Sequence, residues 1–168
     1  MPNALVTGGC GFIASNFINI MHKRYPDITF VNIDKIDYCS NVSNVDKDAA
    51  LLFEGSLCDP DFVERTINFF KFDYVFHFAA QSHVDNSFVD PLSFTMDNTY
   101  GTHILVEMCR KYIPDVEFIH FSTDEVYGES LTDKPFTEEA GVLKPTNPYS
   151  ASKAGAEMIV RSYIESFN

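Results

Sequence analysis

The chain has 168 residues, 45% hydrophobic and 21% charged, a composition that excludes intrinsic disorder and suits one folded domain with a substantial core. Its 24 acidic and 12 basic residues give a formal net charge of −12, which excludes nucleic-acid and anionic-membrane surfaces as partners, because both demand clustered Lys and Arg. No apolar run reaches the length of a membrane span, and Met1-Pro2-Asn3 leads directly into a strand without a signal segment, so a cytoplasmic location is expected. Cys10, Cys39, Cys58 and Cys109 form no Cys-x-x-Cys pair and have no histidine at ligand spacing, so they read as free thiols and no metal site is expected.

In chain order, Ala4-Leu5-Val6 starts a short buried strand, and a helix follows on which Ile13, Phe17, Ile20, Met21 and Arg24 mark one face at spacings of three and four. Pro26 closes that helix. A second strand runs from Ile28 to Ile33 and ends in Asp34, and a third at Leu51-Leu52-Phe53 runs into Gly55 and Asp59. Asp59-Pro60 opens a helix with Val63, Thr66, Ile67 and Phe70 on its inner stripe. Tyr74 to Phe78 is the fourth strand. Asp90-Pro91 opens a long helix whose inner face carries Leu105, Met108, Cys109 and Tyr112, and the fifth strand is Val116 to Phe121. From Val126 to Pro148 the chain is polar and rich in Gly, Pro, Thr and Glu, a long active-site loop before a helix beginning near Tyr149. Alternating apolar strands and amphipathic helices imply an α/β fold: a Rossmann-like doubly wound parallel sheet, ordered 3-2-1-4-5, covered on both faces and binding ligands at the carboxyl ends of its strands.

Thr7-Gly8-Gly9-Cys10-Gly11-Phe12-Ile13-Ala14 follows the first strand and opens the first helix. There Gly8, Gly9 and Gly11 let a pyrophosphate approach the helix N-terminus, and Ala14 is small enough to keep helix and strand close. Asp34, 20 residues beyond Ala14, ends the second strand where a carboxylate can hydrogen-bond the ribose of an adenosine half. It favours NAD over NADP, since a 2′-phosphate beside it costs about 1 kcal/mol in water and about 4 kcal/mol at an effective dielectric near 20. Lys35 can offset part of that repulsion or serve as a surface lysine. Asp59 can cap its helix, contact adenine, or do both.

Ser122-Thr123-Asp124-Glu125 stands at the end of the fifth strand, where two adjacent carboxyls in different environments can divide acid and base work. Tyr149 and Lys153 are one helical turn apart, and a cation on that face is expected to pull the phenol down from about 10 toward neutrality. His83 and Asp85 are expected to shape the site rather than form a dyad.

The stretches Thr7 to Ser15, Asp34 to Asn41, His77-Phe78-Ala79-Ala80-Gln81-Ser82-His83-Val84-Asp85, Ser122 to Gly128 and Pro145 to Lys153 closely resemble the nucleotide-sugar 4,6-dehydratases of the extended short-chain dehydrogenase/reductase family. Asp37-Tyr38-Cys39-Ser40-Asn41 and Ala154-Gly155-Ala156-Glu157 look most like the UDP-glucose 4,6-dehydratase branch that leads to UDP-rhamnose, rather than the bacterial dTDP-glucose enzymes. The resemblance implies a lyase that keeps NAD bound through oxidation at C4, elimination across C5–C6 and reduction at C6 of a nucleotide-activated glucose. It implies catalytic roles for Thr123, Asp124, Glu125, Tyr149 and Lys153. Cofactor contacts would come from Gly8, Gly11, Phe12, Ile13, Asp34, Lys35, Asp59, Ala79, Ala80, Thr99, Tyr149 and Lys153, and substrate contacts from Ser82, Asn98 and Thr123. It further implies a homodimer built on the helices near 91–112 and 149–167. Residues 1–168 then form an NAD-binding domain carrying the catalytic groups, without the family's C-terminal strands and substrate domain. A nucleotide-sugar 4-epimerase, which needs no acid and base after Thr123, and a non-catalytic NAD-binding fragment are the alternative readings.

Overall fold

A computed structural model describes residues 1–130, 135–138 and 142–167, so part of the predicted loop from Val126 to Pro148, residues 131–134 and 139–141, lies outside the described residues. The chain divides into two compact units, one made of residues 1–79 and 104–121 and the other of residues 80–103 and 122–168.

The first unit contains strand β1 (Asn3–Thr7), helix α1 (Phe12–Arg24), strand β2 (Thr29–Asp34), strand β3 (Leu51–Glu54), helix α2 (Pro60–Phe70) and strand β4 (Tyr74–His77). All strands pair in parallel, and with strand β5 (Glu117–His120) the sheet has the order β3-β2-β1-β4-β5. Both the α/β class and the predicted order are therefore present. Alternation within each strand divides the core between two faces. Leu5, Val31, Ile33 and Val75 pack with Val63 and Ile67 of α2 and with Ile104, Leu105 and Met108 on one face. Ala4, Val6 and Phe30 pack with Ala14 and Ile18 of α1 on the other. Burying a side chain such as Leu5 or Val75, both at 0% exposure, stabilises the fold by about 1.5–3 kcal/mol. A parallel sheet needs apolar cover on both faces, which is why these strands read as nearly continuous hydrophobic runs.

The face marked on α1 is only partly buried. On α1 the buried residues are Ala14, Ser15 and Ile18, with Phe17 and Met21 packed beside them, whereas Ile13 and Ile20 are 68% and 62% exposed and Arg24 is exposed. Beside a tight glycine turn the helix lies close to the strand, so small residues face inward and the bulkier Ile13 is displaced to the rim. By contrast α2 starts as expected: the Asp59 carboxylate accepts from the amides of Asp61 and Phe62, both at 3.1 Å, with Pro60 in the first turn.

The second unit contains α3 (Val84–Val89), a short helix that the sequence reading did not anticipate, and α4 (Pro91–Phe94), capped by Asp90. From α4 the chain continues through a π-helical segment (Thr95–Tyr100) into α5 (Gly101–Tyr112), whose residues from Ile104 onward belong to the first unit. The predicted long helix is thus continuous but carries a widened stretch, and such stretches are frequent at functional sites. A 3-10 turn (Asp124–Tyr127) and α6 (Pro148–Phe167) complete this unit.

Candidate active site

The glycine turn of the first unit is built from β1, β2 and the residue after β4. Gly8 has φ +73°, and a Cβ there would lie 2.7 Å from the Ala79 Cα. Gly9 has no room either, since its Cβ would meet Asn32 Oδ1 at 2.3 Å, the same oxygen that accepts the Gly9 amide at 2.8 Å. Thr7 bridges the neighbouring strand: its hydroxyl lies 2.7 Å from His77 Nδ1 and accepts from the Ala79 amide at 3.2 Å. Gly11 is the N-cap of α1, with extended backbone and no side-chain cap, and a Cβ there would touch only the Gly8 carbonyl oxygen, at 3.2 Å. The first-turn amides of α1 consequently face a cradle that lacks side chains at Gly8, Gly9 and Gly11, the donor arrangement that a pyrophosphate requires. Phe12 and Ile13 border it, 81% and 68% exposed.

Asp34 sits at the end of β2 as expected, but its carboxylate is heavily engaged. One oxygen accepts from the Cys10 amide, and the other from the Ile36 amide and the Ser40 hydroxyl, each at 2.9 Å. The residue therefore fastens the glycine turn to the segment after β2. Lys35 forms an ion pair with Asp37 at 2.7 Å, which fits its surface alternative. Asn32 and Asn44 were not singled out in the sequence; Asn44 donates to the Cys10 carbonyl at 3.0 Å and supports the turn from its other side.

In the second unit the carboxylates after β5 and the tyrosine of α6 come together. The Tyr149 phenol shares a hydrogen bond with Thr123 and lies within the field of Glu125 and Asp124. Phe94 packs edge-on against its ring, with centroids 6.3 Å apart. The Thr123 hydroxyl donates to Asp124 Oδ1 and accepts from the Glu125 amide, both at 3.3 Å. Glu125 is held by Asn147, whose side-chain amide donates to Oε2 at 3.0 Å. Asn147 also caps α6, its side-chain oxygen accepting from the Ser150 amide at 2.8 Å. The Asn147-Pro148 pair is a helix-start signal that exposes the capping role in the sequence, though not the contact with Glu125.

The expected ionisation of Tyr149 meets a different environment. Burial pushes the Tyr149 phenol up from its ordinary value; the Thr123 hydrogen bond opposes this, while Glu125 and Asp124 add to it. The predicted lowering of Tyr149 by Lys153 is therefore not found, because desolvation and two carboxylates outweigh a cation that is itself strongly desolvated. Lys153 is 4% exposed, and burial depresses it to about 8, with Glu157 acting in the opposite sense.

Asn98, 1% exposed, lies within the π-helical segment, and its side chain is consumed internally. Its oxygen accepts from the Gln81 amide at 2.7 Å, and its nitrogen donates to the Gln81 carbonyl at 2.9 Å and the Ser152 hydroxyl at 2.8 Å. Thr99 donates to the Ser152 carbonyl at 2.8 Å, and Ser152 donates to the Tyr149 carbonyl at 2.7 Å. The structure thus places Asn98 and Thr99 as a brace on the helix turn between Tyr149 and Lys153. Ser82 is exposed, and Ala80 is half-buried next to Gln81. Among the described residues no cluster of three or more metal-ligating side chains occurs.

The sequence pattern of the GDP-mannose 4,6 dehydratase family matches residues 5–168. The chain belongs to that family. Among its relatives is a trifunctional UDP-glucose 4,6-dehydratase/UDP-4-keto-6-deoxy-D-glucose 3,5-epimerase/UDP-4-keto-L-rhamnose-reductase of Arabidopsis thaliana, 46% identical over 98% of this chain and 26% of that protein. The dTDP-D-glucose 4,6-dehydratase of Mus musculus is 49% identical over 97% of this chain and 46% of that protein. This chain therefore spans about a quarter to a half of the length of these curated relatives. Among solved structures, the dTDP-glucose 4,6-dehydratase of Streptomyces venezuelae with NAD and TYD bound has a TM-score of 0.88 and 36% identity, covering 98% of this chain and 52% of that one. A UDP-glucose 4-epimerase of Thermotoga maritima with UDP-glucose has a TM-score of 0.89 and 32% identity, again over 98% and 52%. The family resemblance read from the sequence is thereby established, whereas similarity to both UDP- and dTDP-glucose enzymes leaves the nucleotide undecided.

No helix among the described residues is long and apolar enough to cross a membrane.

Proposed function

We propose that this chain carries the NAD site and the acid–base groups of an NDP-glucose 4,6-dehydratase, with UDP-glucose as substrate. The observation that carries the reading is the convergence of Thr123, Asp124 and Glu125 on Tyr149, since elimination of water needs both an acid and a base beside the oxidation centre. A 4-epimerase has no use for that pair, and on this ground dehydration is preferred to the epimerase reading despite the equally similar epimerase fold. UDP is preferred for the resemblance of Asp37 to Asn41 and Ala154 to Glu157 to the UDP-glucose branch.

The cradle at Gly8, Gly9 and Gly11 fits a dinucleotide, with Phe12, Ile13, Asp34 and Ala79 around it; the family resemblance adds Ala80, Thr99, Tyr149 and Lys153 as cofactor contacts. NAD, when bound, supplies a reversible hydride acceptor. Thr123 orients the C4 hydroxyl and, through its hydrogen bond to Tyr149, favours the phenolate against burial and the two carboxylates; in that phenolate form Tyr149 accepts the C4 hydroxyl proton, so that C4 becomes a ketone. The ketone acidifies C5–H. Glu125, held by Asn147, then removes the C5 proton while Asp124 protonates the departing C6 hydroxyl. Ser82 contacts the sugar, and Asn98 acts through Ser152. With NAD bound, the hydride taken from C4 would be given back to C6 while C5 regains a proton, which yields the 4-keto-6-deoxy sugar with no net oxidation.

The test is incubation with NAD and UDP-glucose, with dTDP-glucose in parallel, followed by detection of the 4-keto-6-deoxy product. UDP-glucose turnover alone supports the full proposal; dTDP-glucose turnover alone overturns the nucleotide assignment. NAD binding without either product leaves the non-catalytic binding fragment as the correct reading.

We also propose a homodimer. Leu92, Met96 and Tyr100 recur at spacings of four and are 76%, 48% and 45% exposed, and Met158, Ile164 and Phe167 of α6 are 43%, 53% and 58% exposed. Apolar surface of this kind on helices favours pairing with a second copy.

A further inference from the structure

Tyr149, Lys153, Glu157 and Arg161 follow one another at intervals of four along α6, so they share one helix face. Glu157, with a side chain only 14% exposed, has partners on two sides. Its Oε2 accepts from the Ser122 hydroxyl at 2.8 Å, and its Oε1 pairs with Arg161 at 2.9 Å. Ser122 immediately precedes Thr123, Asp124 and Glu125. A single carboxylate thus joins the strand end that bears the proposed acid and base to the helix that bears the proposed tyrosine and lysine.

We propose that Glu157 is a positioning residue with two tasks: it latches Ser122 to α6, setting the register of Thr123, Asp124 and Glu125, and it stands one helical turn from the buried Lys153 as its counter-charge. The second task rests on the reading of Lys153 as a required cation. Taking an ammonium out of water disfavours its charged form, so a buried lysine one turn from no anion loses its proton readily. Burial lowers Lys153, and Glu157 acts in the opposite sense. Other charged groups on α6 or on elements packed against it include Asp85, Asp97, Asp124, Glu125 and the helix's own Arg161. Arg161 draws on the same carboxylate, so Glu157 is shared between a buried and a more exposed cation.

The experiment is a pH titration of Lys153 followed by NMR of the 13C-lysine-labelled chain, with amide exchange of residues 122–125 measured on the same samples. E157Q keeps an acceptor for Ser122 and removes the charge. It should lower the Lys153 midpoint by about 1 pH unit, a tenfold loss in proton affinity, while leaving amide exchange at 122–125 near the parent's. S122A should do the reverse, speeding exchange with little change in the midpoint. R161M, which frees the carboxylate for Lys153, should raise the midpoint and keeps the test decisive if E157Q fails to fold. An unchanged midpoint in E157Q, or in R161M, overturns the electrostatic task, and unchanged exchange in S122A overturns the latch. Neither readout involves NAD or sugar turnover, so failure here is separate from failure of the dehydratase reading.

Discussion

Replacing Gly8 by Ala tests whether the glycine turn is dictated by backbone geometry. At φ +73° an L-residue is left-handed, which costs about 1–2 kcal/mol. The added methyl also lies 2.7 Å from the Ala79 Cα and 2.9 Å from its nitrogen, and backbone cannot rotate aside as a side chain can. Overpacking of this kind adds about 1–3 kcal/mol, so the expected loss is about 2–5 kcal/mol. That is a large share of a typical stability of about 5–15 kcal/mol. Relief by moving the turn would disturb the Gly8 amide, which donates to the Ile33 carbonyl at 2.8 Å, and the Gly8 carbonyl, which accepts the Gly11 amide at 3.0 Å. Gly11→Ala is the control. With ordinary backbone and a single 3.2 Å contact, it should cost less than about 1 kcal/mol. Its methyl would stand over the N-terminus of α1, so it should weaken NAD binding while the fold survives. Urea titration followed by circular dichroism reads the difference: at a slope near 2 kcal/mol per molar, G8A should lower the midpoint by at least about 1 M. A G8A midpoint equal to the parent's, or a G11A loss larger than that of G8A, would refute the reasoning.

Three further outcomes are expected. Because Lys153 binds its proton with a pKa of about 8 when folded, against an ordinary lysine value of 10.5, the unfolded chain holds more protons at this residue between these values and the Lys153 contribution to stability rises with pH across that window. At 1.36 kcal/mol per pKa unit that contribution reaches about 3 kcal/mol, opposed above pH 9 by Cys109, which burial pushes up to about 12; a stability difference between parent and K153M that does not grow from pH 8 to 10 contradicts the assignment. E125Q should retain NAD binding but block elimination, since an amide is no base, so exchange of solvent deuterium into C5 at the parent rate, measured with the complete pocket, would remove Glu125 from that role. Changing Met158 and Ile159 to Glu should convert a discrete dimer into a monomer in light scattering, whereas a monomeric parent would dispose of the proposed interface.

The strand order and the glycine turn were legible in the sequence because they depend on local signals. Buried strands in a parallel sheet are continuous apolar runs, and the turn between β1 and α1 admits no side chain at Gly8 or Gly9, so the constraint is written directly as residue type. Asp59-Pro60 and Asn147-Pro148 likewise announce helix starts through short-range hydrogen bonds. What tertiary structure alone decided are the quantities that depend on residues far apart in the chain. The inward face of α1 was settled by how closely the helix approaches the strands, which put Ala14 inside and left Ile13 out. The π-helical widening that carries Asn98 has no residue signature of its own, and its partners Gln81 and Ser152 lie 17 and 54 residues away. The four-residue spacing of Tyr149 and Lys153 was correct, but their ionisation follows from burial and from the carboxylates at 124, 125 and 157, which no spacing rule along a helix reveals. Residue type and local spacing determine which groups are present, and desolvation, set by the packing of distant segments, determines which of them hold a proton.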